Sequence, residues 1–303
     1  MDTQEHGPIP INWDADPEDQ RTSHIPILDF SSYSLLKGAV DEDELQPLAT
    51  QLVQAFSTVG FVYLRNHGIP AALVSRTFEI ADKFFALPEE VKTKFSRPPD
   101  KSHGWLWPSQ EVPEFEPAAL QLYDKCRQLS LRIIELMARG LNIKNMPSLL
   151  SMHSMMGTGP NGSLMRTLRY PPVPEHIKDR QIRCGEHTDY GSITLLFQDN
   201  IAGLEVQNCE GKYVPAHPIP NTVVVNVGDL MQRWTADKLK STSHRVLLPE
   251  TEEERKTARR SIAFFAHPNM DAVITCLDGS NKYPPITAGE YLKQRLTATY
   301  DVS

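Results

Sequence analysis

The 303-residue sequence predicts a mixed fold. Its front half is helical, and its back half is β-rich, with strands that close into a sandwich, barrel or jelly roll. Three observations carry this reading. Apolar residues recur at helical spacing up to about residue 139. Beyond about residue 160, short apolar runs alternate with Gly and Pro turns. No internal repeat or low-complexity linker separates the halves, so they are expected to form one functional unit.

Residues 1–23 are polar and carry several prolines, which predicts a draped arm. The helical region is expected over 24–150. "HIPILDF" (24–30) reads as a short strand. From Asp43, Leu45, Leu48, Leu52, Val53, Phe56 and Val59 fall on one helical face, with Pro47 placed in the first turn and Gly60 ending the helix. "FVYLRNHGIP" (61–70) follows as a strand closed by a Gly/Pro turn. A second helix over 71–86 turns Leu73, Val74, Phe78, Ala81, Phe84 and Phe85 inward, and Pro88 stops it. The irregular stretch 96–117 has the character of a functional lid, and its Trp105 and Trp107 are candidates to line a substrate mouth. A third helix is expected over 118–139.

The β-rich region, 151–303, contains "LMRTLRYPP", "SITLLFQ", "TVVVNVG" and "SIAFFAH" as strands. "GLEVQNCEGKYVPAH" reads as a hairpin around Asn208 to Gly211. A final helix starts at Thr287, where Thr287 and Glu290 make a capping box.

The net charge of −7 argues against a nucleic-acid partner, which selects a basic face. A small molecule suits the composition better. No apolar run approaches the ~20 residues that cross a bilayer, so no membrane partner is expected. Cys126, Cys184, Cys209 and Cys276 are scattered and form no CxxC pair, as expected of free thiols in the cytoplasm.

The chemistry is concentrated in "CGEHTDYGSITLLFQD" (184–199). In a strand, residues i and i+2 face the same way, so His187 and Asp189 are expected to project together at the start of "SITLLF". A third ligand should come from another strand, and His244 in "LKSTSHRVLLP" is the candidate. Two imidazoles and one carboxylate leave three octahedral positions open, which suits Fe(II) with a chelating cosubstrate and dioxygen. A structural zinc site would close four positions, commonly with thiolates. In "RRSIAFFAHP", Arg259 and Ser261 share a strand face. A barrel-facing arginine needs an anion, and a dicarboxylate would satisfy it. Asn221 and Asn226 read as serving the fold.

Together "HTDYGSITLLFQD", "GLEVQ", "VVVNVGDLMQRWT", "KSTSHRV" and "RRSIAFF" resemble the iron- and 2-oxoglutarate-dependent dioxygenases of the isopenicillin N synthase-like superfamily. "IPILDF", "GFVYLRNHGIP" and "FFALPEEVK" resemble that superfamily's N-terminal region. The resemblance implies a double-stranded β-helix (a cupin-like jelly-roll barrel) flanked by helices. It implies Fe(II) at His187, Asp189 and His244, and the distal carboxylate of 2-oxoglutarate at Arg259 and Ser261. It adds the Tyr170 hydroxyl to that carboxylate, and Leu168 stands where many relatives carry asparagine. It places Phe264 in the barrel near the substrate. The implied reaction oxidises a small organic molecule, chiefly by hydroxylation, with O2 consumed and succinate and CO2 released. A same-fold oxidase without 2-oxoglutarate and a non-enzymatic jelly-roll binding protein are the alternatives.

Overall fold

In the front half, apolar stripes bury helices against a sheet. The structure is a computed structural model that describes residues 25–95, 108–158, 161–174 and 181–300, apart from 39, 41 and 109. Trp105 and Trp107, like the 1–23 arm, lie outside the described residues. Strand β1 (Ile27–Asp29) leads to α1 (Glu42–Thr58), which buries Leu45, Leu48, Leu52 and Phe56. Pro47 stands in the second turn of α1, not the first, because the helix already begins at Glu42. The helix keeps its course despite the missing N–H, since its apolar face packs on the later helix Phe115–Gly140. Next come β2 (Phe61–Arg65), α2 (Ala71–Phe85) and the short α3 (Glu89–Lys92). Helix α4 (Phe115–Gly140) starts ahead of the expected 118, with Pro117 in its first turn, where an absent N–H is harmless. Helix α5 is Met146–Ser151.

The back half runs β3 (Leu164–Tyr170), β4 (Cys184–His187), β5 (Ile193–Gln198), β6 (Leu204–Gln207), β7 (Tyr213–Pro215) and β8 (Thr222–Val227). It continues through α6 (Asp229–Trp234), β9 (His244–Val246), α7 (Glu252–Arg255), β10 (Arg259–Ala266), β11 (Val273–Ile274), β12 (Ile286–Thr287) and α8 (Ala288–Tyr300). The expected hairpin joins β6 to β7, with Gly211 at φ 78° in its turn. The expected capping box opens α8: the Thr287 hydroxyl accepts from Glu290 N–H at 3.2 Å, and the Glu290 carboxylate accepts from Thr287 N–H at 3.2 Å.

Two sheets build a jelly roll. The major sheet has the order β1-β2-β8-β5-β10-β3, and the minor sheet β4-β9-β6-β7. Alternation divides the major sheet into two faces. Val62, Leu64, Val223, Val225, Leu195, Ile262 and Phe264 pack with α1 and α4 in one core. On the opposite face, Phe61, Tyr63 and Val224 meet Leu204, Val206 and Val246 of the minor sheet. The register carries this inner face across the barrel: Tyr170 is opposite Arg259, Leu168 opposite Ser261, Phe265 opposite Thr194, and Thr194 opposite Asn226.

Phe264 therefore does not face the barrel interior as the resemblance implied. It is fully buried on the helix side, edge-on to Tyr123 at 4.9 Å between ring centres. Phe265 is the residue in phase with Arg259 and Ser261. On the same outer face Arg260 and Arg169 both meet Asp82 of α2, at 2.7 and 3.7 Å, which gives Arg169 a structural partner.

Two histidines of the core are held neutral. His153 Nδ1 faces the Leu149 carbonyl at 3.0 Å and its Nε2 faces Ser192 Oγ at 2.8 Å. His67 Nδ1 accepts the Ile69 N–H at 3.1 Å. Burial pushes both imidazoles down to about 4. The unfolded chain then binds more protons than the native one between about pH 6.5 and 4, so stability rises with pH through that window. Acidification from pH 7 to 4.5 should destabilise the fold by roughly 1.4 kcal/mol per pH unit per histidine inside the window. Urea unfolding at stepped pH measures this, and His153→Gln should flatten the dependence.

Candidate metal centre

The sequence expectation placed His187 and Asp189 on one strand. The structure ends β4 at His187, and Asp189 lies in the loop that crosses from the minor to the major sheet. The reason is a backbone anchor: Asp229 N–H at the start of α6 donates to the Asp189 carbonyl at 2.7 Å. Gly228 N–H likewise holds the Ser192 carbonyl at 3.0 Å. This docking needs bare backbone, because a Cβ on Gly228 would stand 2.3 Å from the Gly191 carbonyl oxygen. The "TDYGS" and "VGD" segments thus fit each other.

His187 and His244 pair directly across β4 and β9. Their rings lie 4.2 Å apart between centres. One ligand atom from each of His187, Asp189 and His244 falls within 4.8 Å of the other two. Each imidazole is fixed through its Nδ1, which faces a backbone carbonyl: Gly185 at 2.8 Å for His187, and Thr242 at 3.1 Å for His244. A carbonyl can only accept, so each Nδ1 carries a proton, and Nε2 is the atom left to give up its proton and offer a lone pair to a metal. Phe61 further holds the His244 ring edge-to-face at 5.3 Å.

Asp189 is 6% exposed. The Asn226 amide donates to its Oδ2 at 2.8 Å, and the Thr194 hydroxyl also bonds it. Burial, the largest single influence, pushes this carboxyl up. His244, Asn226, Thr194 and His187 outweigh it and hold Asp189 below the ordinary carboxylate range. Burial also pulls His187 down, but Cys184, the Gly185 carbonyl and Asp189 lift it to about 9. Surroundings that favour a proton here favour a cation as well. Burial pushes His244 below its ordinary value. Asn226, first read as a fold residue, is thus bonded to the carboxylate of the triad. Only the β5–β8 register reveals it, since no motif in the sequence does.

A cavity of about 150 Å³ adjoins the triad, lined in part by Leu164, Arg166, Phe265, His267 and Leu292. Farther along β10, Arg259 is 1% exposed and Ser261 3%. Arg259 Nε donates to the Ile201 carbonyl at 3.2 Å, and one Nη to Gln198 Oε1 at 2.8 Å. Two of its five N–H groups are so engaged, which leaves three for a ligand. Tyr170 stands opposite it with its ring 5.8 Å from the guanidinium carbon. Burial raises the Tyr170 phenol, which stays a neutral donor.

Two imidazoles and a carboxylate beside a jelly-roll core define a non-haem metal site with open coordination positions. The donor set fits Fe(II), and the buried guanidinium fits an anionic cosubstrate. The family model described as 2OG-Fe(II) oxygenase superfamily matches residues 161–268. A second, described as the N-terminal part of non-haem dioxygenases in morphine synthesis, matches residues 25–129. The chain is 31% identical to the 2-oxoglutarate-Fe(II) type oxidoreductase ppzD of Metarhizium rileyi, over 82% of this chain and 85% of that protein. It is 32% identical to the proline hydroxylase buaE of Petromyces alliaceus, over 82% and 92%. A full-length Neurospora crassa protein solved in complex with α-KG superposes with a TM-score of 0.81 at 33% identity, covering 91% of this chain and 96% of that one.

The chain belongs to the 2OG-Fe(II) oxygenase superfamily. It is a 2-oxoglutarate-dependent dioxygenase that uses Fe(II), 2-oxoglutarate and O2. Among the described residues no helix is long and apolar enough to cross a membrane.

Proposed function

We propose that His187, Asp189 and His244 hold the iron, that Arg259, Ser261 and Tyr170 hold the distal carboxylate of 2-oxoglutarate, and that the chain hydroxylates a small ring-bearing molecule. The observation that carries this reading is the convergence of two freed Nε2 atoms and one anchored carboxylate. Bound Fe(II) supplies dioxygen activation coupled to decarboxylation of 2-oxoglutarate to succinate and CO2. The chain supplies orientation. Asn226 and Thr194 fix the Asp189 carboxylate, and the Gly185 and Thr242 carbonyls fix the two rings. Arg259 sets the direction of the cosubstrate before a substrate enters. Leu164, Phe265 and Leu292 give the adjoining cavity an apolar wall.

That cavity supports the substrate class. Phe265 offers an aromatic face, and the Arg166 guanidinium, 5.8 Å from it, offers a fork of donors. A planar ring with carbonyl acceptors suits both. The Neurospora crassa protein has been solved with thymine and with 5-formyluracil, so pyrimidine bases head the substrate screen, followed by proline. The four free cysteines support a reducing, cytoplasmic setting. The test is anaerobic loading with Fe(II) and 2-oxoglutarate, followed by substrate-dependent succinate release in air. A visible charge-transfer band from the chelate and stoichiometric succinate are expected. Turnover without succinate would sink the reading.

A further inference from the structure

Arg183 immediately precedes β4 and is tied to β9 by its backbone N–H, which donates to the Val246 carbonyl at 2.9 Å. Its guanidinium is anomalous. All three side-chain nitrogens are sealed from solvent, and none has a hydrogen-bond partner among the described residues. A buried guanidinium without acceptors is costly unless something supplies them.

Its position says what that something is. The Arg183 guanidinium carbon lies 5.7 Å from the centre of the Tyr170 ring, and that of Arg259 lies 5.8 Å from the same ring. Two guanidinium groups thus lie close to one phenol ring. The acid near both, Asp199, is already committed: its carboxylate accepts from the Arg260 N–H at 2.6 Å and from the Ile201 N–H at 3.0 Å. Burial, and to a lesser degree the Arg183 charge, disfavours the charged form of Arg259. The pair calls for an anion with several acceptor lone pairs, placed beside Tyr170.

We infer that Arg183 is a second guanidinium of the cosubstrate pocket, donating together with Arg259 to the distal carboxylate of 2-oxoglutarate and selecting dicarboxylic over monocarboxylic 2-oxo acids. This rests on the assignment of Arg259 in the proposed function. A carboxylate accepts at both oxygens, so two forks can share it where one alone would leave lone pairs unmet. Arg183, the residue just before β4, becomes part of the binding machinery, joined through β4 to the metal-site residue His187.

The test is calorimetric titration of the anaerobic Fe(II)-loaded protein with 2-oxoglutarate and with 2-oxobutyrate, which lacks the distal carboxylate. Arg183→Met keeps the apolar stem and removes the charge. Its Kd for 2-oxoglutarate should rise at least about tenfold, the loss of one charge-assisted contact. Its Kd for 2-oxobutyrate should stay within about twofold, since no such contact is lost there. The ligand-free variant should melt no lower than the parent, because a buried guanidinium without hydrogen-bond acceptors has gone. An unchanged 2-oxoglutarate Kd, alongside a large loss in Arg259→Met, would overturn the role of Arg183 and leave Arg259 in place. Unchanged values in both variants would overturn the Arg259 assignment as well. Equal weakening toward both acids, or a lower melting temperature, would reduce Arg183 to a structural residue. If Arg183→Met does not fold, Arg183→Gln is taken through the same titrations.

Discussion

His244→Ala should abolish iron retention and succinate release while the chain keeps its fold. The imidazole is 8% exposed and packs on Phe61, so its removal leaves a small void and costs on the order of 1–3 kcal/mol of stability. The loss of metal is far larger in effect, since two remaining donors at His187 and Asp189 cannot hold a labile divalent ion against chelation by its surroundings. Iron content after desalting, far-ultraviolet circular dichroism and succinate assay separate the two effects. Full turnover with native iron content would remove His244 from the site.

Arg259→Met should raise the KM and Kd for 2-oxoglutarate by roughly ten- to a hundredfold, because a charge-assisted contact contributes about 1.5–3 kcal/mol. The variant also strands Gln198 Oε1 and the Ile201 carbonyl, which now accept from Arg259. Some melting temperature will be lost for that reason. The kinetic split distinguishes binding from disorder: saturating 2-oxoglutarate should restore much of kcat if the site is otherwise intact. An unchanged KM would move the cosubstrate's anion site elsewhere.

The periodicity of apolar residues made the helices and strands legible, because each face must bury against something. It located α2, the β6–β7 hairpin and the α8 cap closely. The loop geometry was not legible. His187 and Asp189 read as strand neighbours, whereas the Asp189 carbonyl is captured by the start of α6. Strand phase was legible only where two polar residues marked it. Arg259 and Ser261 share a face, but the continuous apolar run after them hides whether Phe264 or Phe265 keeps that phase. Partners across strands were hidden altogether. Asn226 meets Asp189 only because β5 and β8 pair in one register, and Arg183 carries no motif that separates it from a surface arginine.

One pairing has a consequence for substrate choice. Strands β3 and β10 carry Tyr170 opposite Arg259 at one end and Leu164 opposite Phe265 at the other, all on the inner face. The rungs between them insulate the two ends, so substitutions at Leu164, Arg166 or Phe265 can diverge without disturbing Tyr170 and Arg259. A change of organic substrate can therefore be sought at one end of a ladder whose other end keeps the Tyr170–Arg259 pair intact. Laboratory libraries confined to those three positions would sample the same freedom.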